Sequence, residues 1–199
     1  MLISVRHLVD RRRHPRERAD ALARLRARFA AQASASKDPE RISLARELRA
    51  LRRSLHDALA ALQGLPCSGC AFGHPLPEGR YAGGHCCGSD TLRIFTEPEV
   101  LALRLGGTRP RKLRPADGPH AGCAFRGATG CTLEPEDRPS ICLRYVCPEL
   151  HLELRGSPEG RRVLALAGAL RDGQARFEAL GADHADGSVG SLTFRSRQI

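Results

Sequence analysis

The chain has 199 residues and a formal net charge of +10, from 32 Lys and Arg against 22 Asp and Glu, with six Phe, two Tyr and no Trp. That length suits one domain or a small core with appendages. The longest apolar stretch, Val163 to Leu170, is far too short for a membrane span, so no membrane association is expected. The charge is uneven. Residues 1–64 carry 15 basic and 7 acidic side chains (+8), residues 65–148 carry 10 and 8 (+2), and residues 149–199 carry 7 and 7. A basic N-terminal third can attract phosphate backbones or an acidic protein partner.

In chain order, Met1 to Asp10 contain no apolar run of the length a secretion signal needs, so a cytoplasmic protein is expected. Residues 16–34 read as a helix, preceded by Arg11-Arg12-Arg13, with Leu22, Leu25 and Phe29 on one face. A second helix opens at the N-cap Asp38, with Pro39 at its first position and Glu40 complementing the dipole. Leu44, Leu48, Leu51, Leu55, Leu59 and Leu62 form its stripe, and Gly64 and Pro66 end it. Joined by a short turn, the two predict an antiparallel hairpin that needs a third surface over its leucines.

Thr91 to Phe95 reads as a short strand running into Thr96-Glu97-Pro98-Glu99, a capping box that starts a helix closed by Gly106-Gly107. A basic loop follows, with Arg109, Arg111, Lys112 and Arg114. Asp137-Arg138-Pro139 predicts a helical turn carrying Cys142, and Glu99 reads as a cap rather than a catalytic base. Arg138 could donate to sulfur ligands or pair with Glu136. The last helix begins at Ser157-Pro158-Glu159, places Val163, Leu166, Leu170, Phe177 and Leu180 on one face, and stops at Gly181. Gly168 and Gly173 weaken it, and Ser191 to Phe194 suit a short strand.

The feature that bears on function is the cysteine block: Cys67, Cys70, Cys86, Cys87, Cys123, Cys131, Cys142 and Cys147, with none outside it. Buried small hydrophobes would not cluster this way. In a reducing compartment such thiols read better as metal ligands than as disulfides. The surrounding segment is rich in Gly and Pro, and a structural zinc can order such a segment with about 10–16 kcal/mol of apparent binding energy. Cys67-x-x-Cys70 can place two sulfurs about 2.3 Å from one ion. The adjacent Cys86 and Cys87 point to opposite sides of extended backbone, which favours two metals, a cluster, or one ligand beside a reactive thiol. His74, His85 and His120 lie near these cysteines as polar neighbours or further ligands. Zinc and iron, including an iron–sulfur cluster, both suit such donors.

Cys67-Ser-Gly-Cys70, Cys86-Cys87, Thr96-x-x-Glu99, Cys123-Ala-Phe125, Gly130-Cys131-Thr132 and Arg138-Pro139-x-x-Cys142-x-x-Tyr145 follow one another in a distinctive order. The segment 67–147 resembles the YkgJ-type cysteine-cluster family of zinc- or iron-chelating proteins. The family's early cysteines lie close together, whereas fifteen residues, Ala71 to His85, separate Cys70 from Cys86 here. Cys147 falls just past the usual pattern. The resemblance also reaches flagellin lysine methylases, yet no Gly-x-Gly-x-x-Gly loop follows a strand, so a complete methyltransferase of the ordinary fold is not expected.

These readings predict a mainly α protein: a helical hairpin (1–64), a small irregular metal-stapled cysteine-rich centre with short strands (65–150), and a C-terminal helix and tail (151–199). The leading functional expectation is a metal-binding protein with a cysteine-ligated zinc or iron–sulfur centre in a structural or redox role. One alternative is a zinc-stabilised nucleic-acid-binding module using the Arg-rich N-terminal helices, although few aromatics argue against base stacking. A second is a cluster- or thiolate-dependent enzyme, with Cys87 or Cys147 as nucleophile.

Overall fold

The computed structural model describes residues 5–32, 38–62, 65, 69–74, 84–85, 90–118 and 122–186. Among them lie seven α-helices and one two-stranded hairpin. Helix α1 (Val5–Ala31) begins earlier than the apolar pattern suggests, because Arg11-Arg12-Arg13, good helix formers, belong to it. Helix α2 (Pro39–Ala60) starts where its signals predict: the Asp38 carboxylate accepts the Glu40 N–H at 2.9 Å. It ends at Ala60, so Gly64 and Pro66, assigned as its terminators, lie outside the described residues.

The expected strand at Thr91–Phe95 is instead a single turn, helix α3 (Thr91–Ile94). Asp90 decides it by accepting the backbone N–H groups of Leu92 and Arg93, an N-cap that outweighs the strand-like Thr-Leu-Arg-Ile-Phe composition. Helix α4 (Glu97–Leu105) follows, with the Thr96 hydroxyl accepting the Glu99 N–H. It closes through Gly107, whose φ of +103° suits the left-handed turn that lets the Thr108 N–H reach the Leu103 carbonyl.

Strands β1 (Arg126–Gly127) and β2 (Gly130–Cys131) pair antiparallel, Arg126 opposite Cys131. Helix α5 (Ser140–Arg144) carries Cys142, as its Arg-Pro lead-in predicts. The sequence reading missed α6 (Pro148–Arg155), which starts on Cys147 as N-cap. Helix α7 (Pro158–Asp186) starts on the Ser157 hydroxyl, which accepts the Gly160 N–H, and runs past Gly181. At Gly181 the absent side chain leaves room for the Arg41 guanidinium, which lies over the Phe177 ring.

Two apolar clusters organise these elements. Leu44, Leu48 and Leu55 of α2 pack with Val163, Leu170 and Phe177 of α7, with Leu150 and Leu154 of α6 alongside. Leu22, Leu25 and Phe29 of α1 instead join Phe95, Val100, Leu103, Leu113, Phe125 and Leu133. The stripes of α1 and α2 therefore do not meet in one core as a hairpin would have them. The third surface is the C-terminal helix, which shares its cluster with the α2 stripe and not with the α1 stripe. Helix α4 lies between the clusters, with Ala102 in the first and Val100 and Leu103 in the second. No described helix is long and apolar enough to cross a membrane.

Candidate metal centre

Among the described cysteines Cys123 is the buried one, 7% exposed within the second cluster. Its sulfur accepts hydrogen bonds from the Phe125 backbone N–H and the Thr91 hydroxyl. The same hydroxyl oxygen accepts the Ala124 N–H at 2.8 Å. One threonine therefore fixes both the backbone and the sulfur of this segment. Burial pushes the Cys123 thiol up to about 11, against the opposing pull of the Phe125 N–H and with nearby Cys131 raising it further. Both sulfur hydrogen bonds favour the charged form. Donors already aimed at a buried sulfur suit a thiolate ligand, since a bound metal would supply the positive charge that offsets the thiolate charge burial disfavours.

Arg18 of α1 shapes the surrounding loop. It is 6% exposed and donates to the carbonyls of Ala116, Gly118, Ala124 and Arg126 at 2.9–3.1 Å. It lies four residues before Leu22, in phase with the apolar stripe, so the guanidinium enters the same face. Burial lowers its pKa, and the nearby Cys123 acts in the opposite direction. A permanent cation beside this sulfur would offset part of a thiolate's charge. Arg26 adds a bond to the Leu113 carbonyl at 2.6 Å.

Cys142 is exposed, but the start of its helix is buried. Glu99, one turn into α4, sends its carboxylate there instead of back to Thr96. Its Oε1 accepts Arg52 at 2.6 Å, the Ser140 N–H at 3.0 Å and the Ser140 hydroxyl at 3.2 Å. Only the threonine half of the predicted capping box forms. Arg52 is fully buried in the leucine stripe of α2; burial lowers its pKa and Glu99 raises it. Next to this pair, Asp137 accepts the Thr108 hydroxyl at 2.7 Å and Arg49 at 2.8 Å, anchoring the basic loop to the segment before Cys142. Arg138 donates through Nε to the Leu133 carbonyl at 3.0 Å, while Glu136 is taken by Arg49 and Arg53.

Of the other cysteines, Cys70 is exposed on a 3-10 turn (Cys70–Gly73), Cys131 is exposed on β2, and Cys147 is half-buried at the start of α6. Cys67, Cys86, Cys87 and His120 lie outside the described residues, as does the strand expected at 191–194. His74 and His85 stack with ring centroids 3.7 Å apart and planes 17° from parallel. The stack brings together two residues of the stretch between Cys70 and Cys86. Among the described residues, no three of His, Cys, Asp and Glu converge on a point able to hold a metal ion.

No family model, curated protein or solved structure matches this chain.

Arg109, Arg111, Lys112 and Arg114 are exposed, and Lys112 approaches Asp137 at 3.6 Å. Residues that sequence reasoning missed are Arg18, Arg52, Thr91 and Ser140. For Arg18 and Arg52 a signal was present: each is a charged residue in phase with an apolar helical stripe.

Proposed function

We propose that this chain is a metal-binding protein whose cysteines hold zinc or iron, the iron as an iron–sulfur cluster where sulfide is supplied. Cys86, Cys87, Cys123, Cys131 and Cys142 are the leading ligands, followed by Cys67 and Cys70, then Cys147. The observation that carries the reading is the environment of Cys123, a buried sulfur already receiving a backbone N–H and a hydroxyl, with Cys131 nearby. An ordinary buried cysteine needs neither donor. The likeness of the 67–147 motifs to the YkgJ-type family points the same way.

The residues around Cys123 divide the work. Thr91 and the Phe125 N–H orient the sulfur, Arg18 ties residues 116–118 to residues 124–126 and supplies positive charge, and His74 and His85 stack within the cysteine block. A bound zinc would supply folding free energy; an iron–sulfur centre would add one-electron transfer.

Anaerobic purification with elemental analysis and a visible spectrum tests this. Stoichiometric zinc in a colourless protein assigns a structural centre. Iron with sulfide and broad absorption near ~400 nm assigns a cluster. A chain with neither metal and eight free or disulfide-bonded thiols refutes the reading. Cys142→Ser and Cys86→Ser are each expected to lower metal content and thermal stability, and unchanged stoichiometry would remove that residue from the ligand set.

A second reading has its own observation: four exposed cations within residues 109–114, next to Arg26 of α1. They suit phosphate contacts in a zinc-stabilised nucleic-acid-binding module. Such binding would weaken steeply with salt. Undetectable binding to mixed DNA and RNA at low salt would end it.

A further inference from the structure

We infer that Glu99, held by Arg52, is a positioning residue for Cys142: it caps, from a neighbouring helix, the short helix that carries this cysteine. The inference deepens the metal reading and rests on it for its consequence, though not for its geometry.

Helix α5 has five residues and follows Pro139, which provides no side-chain cap. A helix start without a cap leaves its first N–H groups without acceptors, and so short a helix does not sustain itself. The Glu99 carboxylate supplies the acceptor in trans, taking both the N–H and the hydroxyl of Ser140 on one oxygen. Ser140 is 1% exposed, so water cannot replace that oxygen. Three further helices converge on this residue. Arg52 of α2 reaches the Ser140 hydroxyl at 3.1 Å, Glu99 belongs to α4, and Gln174 of α7 lies 3.3 Å from the same hydroxyl.

Cys142, the third residue of α5, donates its own N–H to the Pro139 carbonyl at 3.0 Å and is exposed. The cysteine thus has a buried, fixed root and an outward side chain. A ligand held this way gives up less freedom when it binds a metal than one on a free loop. The separation of Glu99 from Cys142 in sequence then has a physical purpose: the Thr96-x-x-Glu99 turn places one end of a strut, and α5 is the other.

Removing Glu99 alone would strand the buried Arg52 guanidinium, so the informative variant replaces both partners. Arg52→Met/Glu99→Met exchanges the pair for apolar side chains of similar length, a change that buried pairs often tolerate. It leaves the Ser140 N–H without its acceptor. Arg52→Met/Glu99→Gln is the rescue control, because the amide oxygen can still accept that N–H.

The first measurement needs no variant. In the unaltered chain the Ser140 amide, at a helix start where exchange is ordinarily fast, should be protected from hydrogen exchange like amides of α7. Rapid exchange there overturns the inference. In the Met/Met variant, exchange across residues 140–145 should speed at least about tenfold while α7 is unchanged, and the Gln control should restore protection. Zinc affinity, measured by competition with a chromophoric chelator, should fall about 10–100-fold in the Met/Met variant. It should fall far less when Cys142 is already Ser. Equal losses with and without Cys142 would overturn the positioning role. If the unaltered chain takes up no zinc or iron, the proposed function fails by itself, and the exchange measurements still decide whether Glu99 holds α5.

Discussion

Thr91 provides the sharpest test of how the Cys123 segment is held, through a comparison of Thr91→Val with Thr91→Ser. Thr91 and Ala124 are both fully buried, and the hydroxyl accepts the Ala124 N–H at 2.8 Å while donating to the Cys123 sulfur. Valine keeps the branched shape but removes both interactions. A buried donor left without an acceptor costs about 1–3 kcal/mol. The extra buried methyl returns about 0.8 kcal/mol. With the sulfur also losing a donor, the expected net loss is about 2 kcal/mol. Serine keeps the hydroxyl and loses one methyl, about 1 kcal/mol. Urea unfolding in reducing buffer, with metal content matched between variants, reads the difference. Hydrogen exchange of the Ala124 amide adds a local readout: protection should persist in the serine variant and drop about 30-fold in the valine variant. If Thr91 merely filled apolar space, valine would be the better-tolerated change. A valine variant at least as stable as the serine variant, with Ala124 still protected, would refute the assignment.

Helix α7 contains two glycines whose replacement by alanine should act in opposite directions. A Cβ at Gly168 meets nothing within 4 Å, so Gly168→Ala should gain about 0.5–1 kcal/mol of helix propensity. A Cβ at Gly173 would lie 2.9 Å from Leu48 Cδ2 in the α2–α7 contact, where overpacking of about 1–3 kcal/mol exceeds that gain. Thermal melts should therefore move up for the first and down for the second, by about 2–4 °C per kcal/mol; equal shifts would contradict the α2–α7 packing. Arg18→Met should cost at least about 2 kcal/mol in urea unfolding by orphaning the carbonyls of Ala124 and Arg126. A loss under about 0.5 kcal/mol would exclude Arg18 as the organiser of that loop. Burial, with Arg138 adding to it, holds the His56 imidazole below its ordinary 6.5. The unfolded chain therefore takes up this proton first, so stability should fall as pH drops through 6.5 toward the folded value. His56→Asn should flatten that part of the pH–stability curve.

Much of the helical framework was legible because its signals are local. Asp38-Pro39-Glu40 starts α2, Ser157-Pro158 starts α7, and the Val163, Leu170 and Phe177 faces are buried as their spacing predicts. The failures are equally specific. Thr91 to Phe95 has strand composition, but Asp90 closes a helical turn across it. Pro148 and Glu149 are ordinary signals of a helix start, yet α6 was not anticipated. Glu99 fits a capping box, whose short-range pattern says nothing of a partner on another helix. Arg52 and Arg18 break apolar stripes, and the pattern alone does not show whether such a residue snorkels outward or is paired inside.

The sequence by itself determined where α2, α4 and α7 start, that the thiols occupy one block, and that the positive charge lies toward the N-terminus, because these are read from the residues themselves or from neighbours within a turn. Only the tertiary structure decided that α1 and α2 serve different cores. It alone showed that Thr91 holds Cys123, that Arg18 reaches carbonyls about a hundred residues away, and that Glu99 ties Arg52 to the root of the Cys142 helix. The physical reason is desolvation. A buried guanidinium, carboxylate or N–H must find a partner wherever the folded chain supplies one, and that partner is chosen by packing rather than by proximity in sequence.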